Sequence, residues 1–421
     1  MRVDGCREHH REMGSRWALR AGRAFDGARF LPDGATVIVE GERIVGVETA
    51  AFRTPDDVPV TRLDGTLLPG LVDCHVHLVA SGAFPGTPGS LEWAGTAAPA
   101  AVDEVVTAGL RAQVAAGVTS VRDLGDAGYR VLEHRGREGE GLPRVVAAGP
   151  PITIPLGHCW FLGGDVDPDD PATVDRAVAE RVERGVDVVK VMASGGFLTP
   201  GSDMLGAQFA VTPLRRLVGA AHAAGLRVVA HAHSVAGAEV ATDAGVDGLE
   251  HFTCMSEGGA DPPPGLLARV ADAGVTVCPT LGNDPSRFPP VSAMPPHVLE
   301  MLQRVGITDR DEHFARVAAN SVRLREHGIR VVSGLDAGAM PAKPHGHLWR
   351  SVAELVGGGW PVDEALATAT SVAADDCGID AGRLAAGRLA DLLVVDGDLA
   401  ADVTVLSRPL AVWVGGVAVE R

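Results

Sequence analysis

The chain has 421 residues, 46% of them hydrophobic and 22% charged, and carries a formal net charge of −17. Length and apolar content suit one large barrel with an accessory domain, or roughly two to three average domains, and leave no compositional case for disorder. So acidic a chain argues against nucleic-acid and anionic-membrane partners, and an aromatic content of only 4% argues against base-stacking platforms.

Residues 1–13 read as a polar leader ahead of Met13, with no apolar stretch of the kind a signal peptide needs. From Trp17 to Leu68 short β-segments alternate with turns, and residues 35–47 form a hairpin pattern turning near Gly41. The middle of the chain then changes character. Eight apolar strand-like runs occur at 70–78, 118–125, 144–149, 187–193, 227–233, 248–252, 275–279 and 329–337. Helical runs at 102–116, 171–184, 213–224 and 235–244 separate most of them. Continuous apolar strands alternating with helices predict buried parallel strands, and eight such units fit a (β/α)8 TIM-like barrel, with a doubly wound sheet as the competitor. The C-terminal runs 389–398 and 410–420 are again β-like. The expected organisation is therefore a small β-sandwich built from 14–69 and 376–421, flanking a barrel at 70–375. No run of about 18 apolar residues predicts a membrane span. The six cysteines (Cys6, Cys74, Cys159, Cys254, Cys278 and Cys377) form no CxxC pair and read as reduced thiols of a cytoplasmic protein.

Placing polar residues on those strands brings out the chemistry. Strand one ends Asp73-Cys-His-Val-His, and a spacing of two puts His75 and His77 on one face. Strand four carries Lys190 within Val-Val-Lys-Val-Met. Strand five ends at His231-Ala-His233, strand six at His251 and strand eight at Asp336. All lie near carboxyl ends, the barrel face on which active sites form. Histidines, a carboxylate and a lysine converging there make a metal-site inventory. Lys190 is the sharpest signal. Only Lys190 and Lys343 are lysines; every other basic residue is arginine. An unpaired lysine on a central strand must be neutralised, paired or modified. An amine can add carbon dioxide to give a carbamate that bridges two cations, whereas the permanently protonated guanidinium cannot. Arg122-Asp123 reads as a structural ion pair, Cys74 as core, and Lys343, His345 and His347 as either pocket lining or solvated loop. Gly357-Gly-Gly is a turn and not a phosphate loop.

With these residues in view, the sequence resembles the amidohydrolase superfamily of metal-dependent hydrolases. The resemblance rests on Leu68-Pro-Gly-Leu-Val-Asp-Cys-His-Val-His-Leu, Gly117-Val-Thr-Ser-Val-Arg-Asp-Leu-Gly and Ala386-Gly-Arg-Leu-Ala-Asp-Leu-Leu-Val-Val-Asp. Within it the chain looks most like the branch of Xaa-Pro dipeptidases, carboxypeptidases and ochratoxin amidases, with phenylurea and thiocarbamate hydrolases nearby. The resemblance implies two divalent ions, zinc foremost. His75, His77 and Asp336 would hold the first, His231 and His251 the second, and carbamylated Lys190 would bridge them. On strand five either His231 or His233 can be the ligand. His231 is taken because it opens a His-Ala-x sequence, which leaves His233 facing substrate. His158, in the loop after strand three, is expected to bind substrate or stabilise an oxyanion. A homo-oligomer is also implied.

The chemistry that follows is hydrolysis of a C–N bond in a small molecule. A hydroxide shared by two metals attacks, and Asp336 passes its proton to the leaving nitrogen. A lactam, urea, carbamate or ester substrate would use the same site. A mononuclear deaminase would place a glutamate soon after the strand-five histidine, but Glu239 lies two helical turns on. A silent binding barrel would be expected to have lost a ligand, and none is missing. The loops carry Trp93, Trp160, Phe161, Phe197 and Phe209, which suggests a moderately apolar substrate, aromatic or N-acylated.

Overall fold

The structure, a computed structural model, describes residues 16–288, 294 and 296–420; the leader reading for 1–13 lies outside them. The two ends of the chain meet in one eight-stranded sheet. Arg16–Phe25 pairs in parallel with Val60–Pro69 and antiparallel with Ala35–Glu40, which turns at Gly41 (φ +60°) into Arg43–Glu48. From the C-terminal end, Leu392–Val395 pairs antiparallel with Val60–Pro69, and Pro409–Val414 adds beyond it. The sheet curls: Ile44 N–H donates to Arg388 O (2.9 Å) at one edge and Gly416 N–H to Ala390 O (2.9 Å) near the other. Inside the curl lie Trp17, Val37, Val39, Leu67, Leu392, Val394 and Trp413, with the two indole rings 6.0 Å apart. Period-two alternation sends these residues inward from every strand.

Between the termini the expected parallel segments are present. Leu71–Val76, Val118–Asp123 and Arg144–Ala147 form one parallel set. Val188–Met192, Arg227–Ser234, Gly248–Ser256 and Thr276–Cys278 form another. Parallel bridges join the sets: Ile152 pairs with Val191, Val277 with Val331, and Val76 with Ala337. The pairing thus runs through eight successive segments, and the last returns to the first. The expected strand at 329–337 is the irregular one. It touches its neighbours by single bridges and through Cys74 N–H to Ser333 O (3.0 Å) and Asp336 N–H to His75 O (2.8 Å). Asp336 at φ +64° breaks the ladder there, and a Cβ on Gly334 would stand 2.8 Å from His75 N, so only glycine admits this approach.

Helices connect most segments. Pro171–Arg184 shows why: Asp170 caps its first turn, Pro171 opens it and Gly185 (φ +72°) ends it. Its buried positions Val174, Ala177, Val178 and Arg181 recur at helical spacing and face the core. The second and third segments are joined without an α-helix, through the short 3-10 turn Arg130–His134. Among the described residues no helix is long and apolar enough to cross a membrane.

Candidate metal centre and active site

The carboxyl ends of the segments surround one cavity. His75, His77, His158, Lys190, His231, His233, His251 and Asp336 all line it, so every site residue expected from the sequence reaches one space.

Strand alternation places Lys190 and Met192 inward beside Val229 and His231, their ladder partners. His251 gets there by another route. Its φ of +69° breaks the alternation, so that both Glu250 and His251 turn inward. Backbone in this sparsely populated region costs about 1–3 kcal/mol per residue. Thr280 (φ +47°), Cys159 (φ +56°) and Asp336 (φ +64°) share it, all at or beside the cavity.

Each imidazole is oriented by a second contact. His75 Nδ1 meets Glu250 Oε2 at 2.7 Å, and His77 Nδ1–H donates to Gly125 O (3.1 Å). That leaves both Nε2 atoms beside Asp336 Oδ1, at 3.5 and 3.3 Å. His231 Nε2–H donates to Gly195 O (3.0 Å), freeing Nδ1, while His251 Nδ1 pairs with Thr280 Oγ1 (2.9 Å), freeing Nε2. His233 and His158 rest on Thr253 and Thr199 in the same way. Fixing one ring nitrogen so that the other offers its lone pair is the usual preparation of a metal-binding histidine. The donor atoms of His75, His77 and Asp336 form one potential metal cluster and those of His231, His233 and His251 a second.

The electrostatics agree with such a donor set. Burial pushes the His75, His231 and His251 imidazoles well below their ordinary range, so they remain neutral lone-pair donors. Burial alone would raise the Asp336 carboxyl, but the His77 hydrogen bond and the nearby Lys343 override it and hold the acid well below the usual carboxylate range. Lys190 is 1% exposed and its Nζ has no hydrogen-bond partner. Burial lowers its pKa, favouring the free amine. An orphaned buried amine lining the same cavity as two groups of ligand atoms fits residues prepared for cations.

Several expectations need correction. Arg122 and Asp123 are not paired with each other. The Arg122 guanidinium binds Asp376 Oδ2 (2.8 Å), Glu250 Oε1 (3.4 Å) and Cys74 O (2.9 Å), while Asp123 accepts from Leu78 and Gly125 N–H. Lys343 is neither pocket lining nor solvated. It is buried, and Nζ donates to Thr280 O (2.7 Å) and Leu335 O (3.0 Å), 3.8 Å from Asp336 Oδ2. It therefore ties the segment of Thr280, whose hydroxyl meets His251, to the segment that presents Asp336. His345 bonds Ala80 O at 2.9 Å outside the cavity. Of the expected loop aromatics only Phe197 lines the cavity; Phe209 is in the core and Trp160 is exposed. Leu91, Leu198 and Met340 line it instead. Sequence reading also missed Glu250, whose signal was an acid inside the apolar run Gly-Leu-Glu-His-Phe.

Comparison with known proteins places this arrangement. The amidohydrolase family profile matches residues 66–419. An uncharacterised protein of Mycobacterium tuberculosis is 29% identical over 315 residues, 72% of each chain. The ochratoxinase of Aspergillus niger is 29% identical over 215 residues, 45% of this chain and 44% of its own. Among solved structures, a Xaa-Pro dipeptidase with methionine bound in its active site superposes with a TM-score of 0.82 at 26% identity, covering 97% of this chain and 100% of that one. The chain belongs to the amidohydrolase family of hydrolases.

Proposed function

We propose that this chain hydrolyses a C–N bond of a small molecule at a centre of two divalent ions, most consistent with zinc. The observation that carries the reading is Lys190: a fully buried amine without a partner, on the floor of a cavity whose other polar residues are metal-ligand types. In this reading the ring of eight parallel segments is a (β/α)8 barrel spanning 70–375, and 14–69 with 376–421 form its β-sandwich companion. His75, His77 and Asp336 hold the first ion and His231 and His251 the second. Lys190, on adding carbon dioxide with release of one proton, would offer carbamate oxygens to both.

Ions bound there lower the pKa of water towards neutrality and polarise a carbonyl. The residues do the rest. Asp336, beside both His75 and His77 on the cavity floor, would accept the proton of the attacking water and deliver it to the leaving nitrogen. His158, held by Thr199 through Nδ1 (3.0 Å), presents its other nitrogen to oxygen on which charge develops. It fits only because Gly196 has no side chain, since a Cβ there would stand 2.4 Å from its Nε2. His233 faces the substrate.

Elemental analysis of purified protein tests this. About two equivalents of divalent metal are expected, and bicarbonate should speed reconstitution of the metal-stripped protein. One equivalent or none under metal-replete conditions, or reconstitution indifferent to bicarbonate, would overturn the bridged pair.

A further inference from the structure

The cavity has a polar floor and walls of a different kind. Leu91, Phe197, Leu198 and Met340 supply them, from the segments after the first, fourth and eighth strands, with Met192 at the end of the fourth strand. Behind Phe197 lies a separate apolar cluster of Met204, Met255, Ala260 and Val305, with Met301 packed on it. Thioether side chains yield to apolar shapes more readily than branched ones do.

No basic group serves these walls. Among the described residues lining the cavity, Lys190 is the only lysine or arginine, and it sits on the floor. Lys343 is committed to Thr280 O and Leu335 O. Arg304, on the helix whose Met301 and Val305 join that apolar cluster, binds Glu257 (2.9 Å), and Arg316 on the next helix binds Glu312 (3.1 Å). The sequence from Phe288 to His297 holds no lysine or arginine. At −17 overall, the chain also repels anions before they arrive. A carboxylate brought against such walls loses its water and gains no cation in return.

We infer that the pocket takes a neutral substrate: an amide, carbamate or urea, apolar at both ends and without a free carboxylate. This rests on the hydrolytic reading above and narrows it away from dipeptides and N-acyl amino acids.

Matched neutral and anionic probes test it on the metal-loaded enzyme. Butyryl-4-nitroanilide and succinyl-4-nitroanilide differ by a methyl against a carboxylate on the acyl end. The anilides 4-methylacetanilide and 4-acetamidobenzoate differ in the same way on the leaving end. The neutral member of each pair should have the higher kcat/KM by about tenfold to a hundredfold. Leu198→Arg or Met340→Arg, at unchanged metal content, should narrow the first ratio by giving the wall a cation. Equal rates, preference for a carboxylate, a ratio unmoved by both variants, or two bound metals with no turnover of either neutral probe would each overturn the inference. Failure to bind metal would overturn the hydrolytic reading as well, and metal analysis tells the two failures apart.

Discussion

The curled terminal sheet and the floor of the cavity are about equally buried, yet they reach that state by opposite means. Around Trp17, Leu67, Val394 and Trp413 the interior is apolar, and among the described residues of 16–69 and 389–420 positive φ occurs only at glycine. On the floor six imidazoles, a carboxylate and an amine crowd together, with ring centroids as close as 4.3 Å for His233 and His251. There His251, Thr280 and Asp336 take left-handed backbone without being glycine. The sheet is built for stability alone. The floor holds unfavourable features that the surrounding packing must offset, a pattern expected where binding is the purpose.

The comparison breaks first at Lys190. Replacing it by alanine should abolish two-metal binding and lower activity by about a thousandfold or more, the order lost when a ligand and not merely its support is removed. Lys190→Met sharpens the point. An apolar chain of similar length removes an unpaired buried amine, so the metal-free variant should melt at or above the metal-free parent. A Met variant that keeps two metals, or that is strongly destabilised without them, would mean Lys190 is structural. Trp413→Ala probes the other region. Emptying a fully buried indole site should cost about 3–5 kcal/mol by denaturant unfolding, while metal content per folded chain stays unchanged.

How much of this was legible in the sequence follows the same division. His75, His77, Lys190, His231, His233, His251 and Asp336 were legible because each ends or interrupts an apolar run, and strand geometry sends such residues to one rim. The residues that orient them were not. Glu250 precedes His251, and strict alternation would send one of the two outward; the left-handed turn at 251 cancels that rule, and no sequence pattern announces such a φ. Thr280 and Lys343 meet only through the fold, 63 residues apart. The eighth segment was correctly located, but Gly334 and Asp336 make it a bent crossing and not a ladder. Loop aromatics misled, because large rings in loops pack as readily on the core as on a cavity.

Asp391 joins the sheet to the ring of segments: its backbone carbonyl accepts from Gly70 N–H (2.9 Å) and its Oδ1 from Gly415 N–H (2.7 Å), while Oδ2 has no partner. Burial raises its carboxyl to about 6. The folded state thus holds a proton that the unfolded chain releases near pH 4, and stability should fall as pH rises from about 4 to 6, by up to about 3 kcal/mol. Asp391→Asn keeps the acceptor for Gly415 without the ionisation, so the stability difference between parent and variant, read by unfolding between pH 4 and 7, should change by that amount while Asp73, Asp123 and Asp126, also raised by burial, keep their own slopes. A difference that does not vary with pH would assign the slope to another group.

The smallest expected effect separates orientation from ligation within the floor. Thr280 Oγ1 meets His251 Nδ1 at 2.9 Å, and its backbone carbonyl accepts from Lys343, so one residue fixes an imidazole and anchors a buried ammonium. Thr280→Val removes only the hydroxyl at nearly constant shape and backbone preference. Without that partner the His251 ring gains rotational freedom and loses its fixed tautomer, which should weaken metal affinity by about tenfold and leave the unfolding midpoint of the metal-free protein within error of the parent. Thr280→Ser keeps the hydroxyl and eases the left-handed backbone, so competition against a chelator should return parental affinity. Equal affinity in the Val and Ser variants would mean that packing alone orients His251. The hydroxyls under His158 and His233 would then count as packing neighbours and not as supports for those rings, and the floor would owe its geometry to the strained backbone.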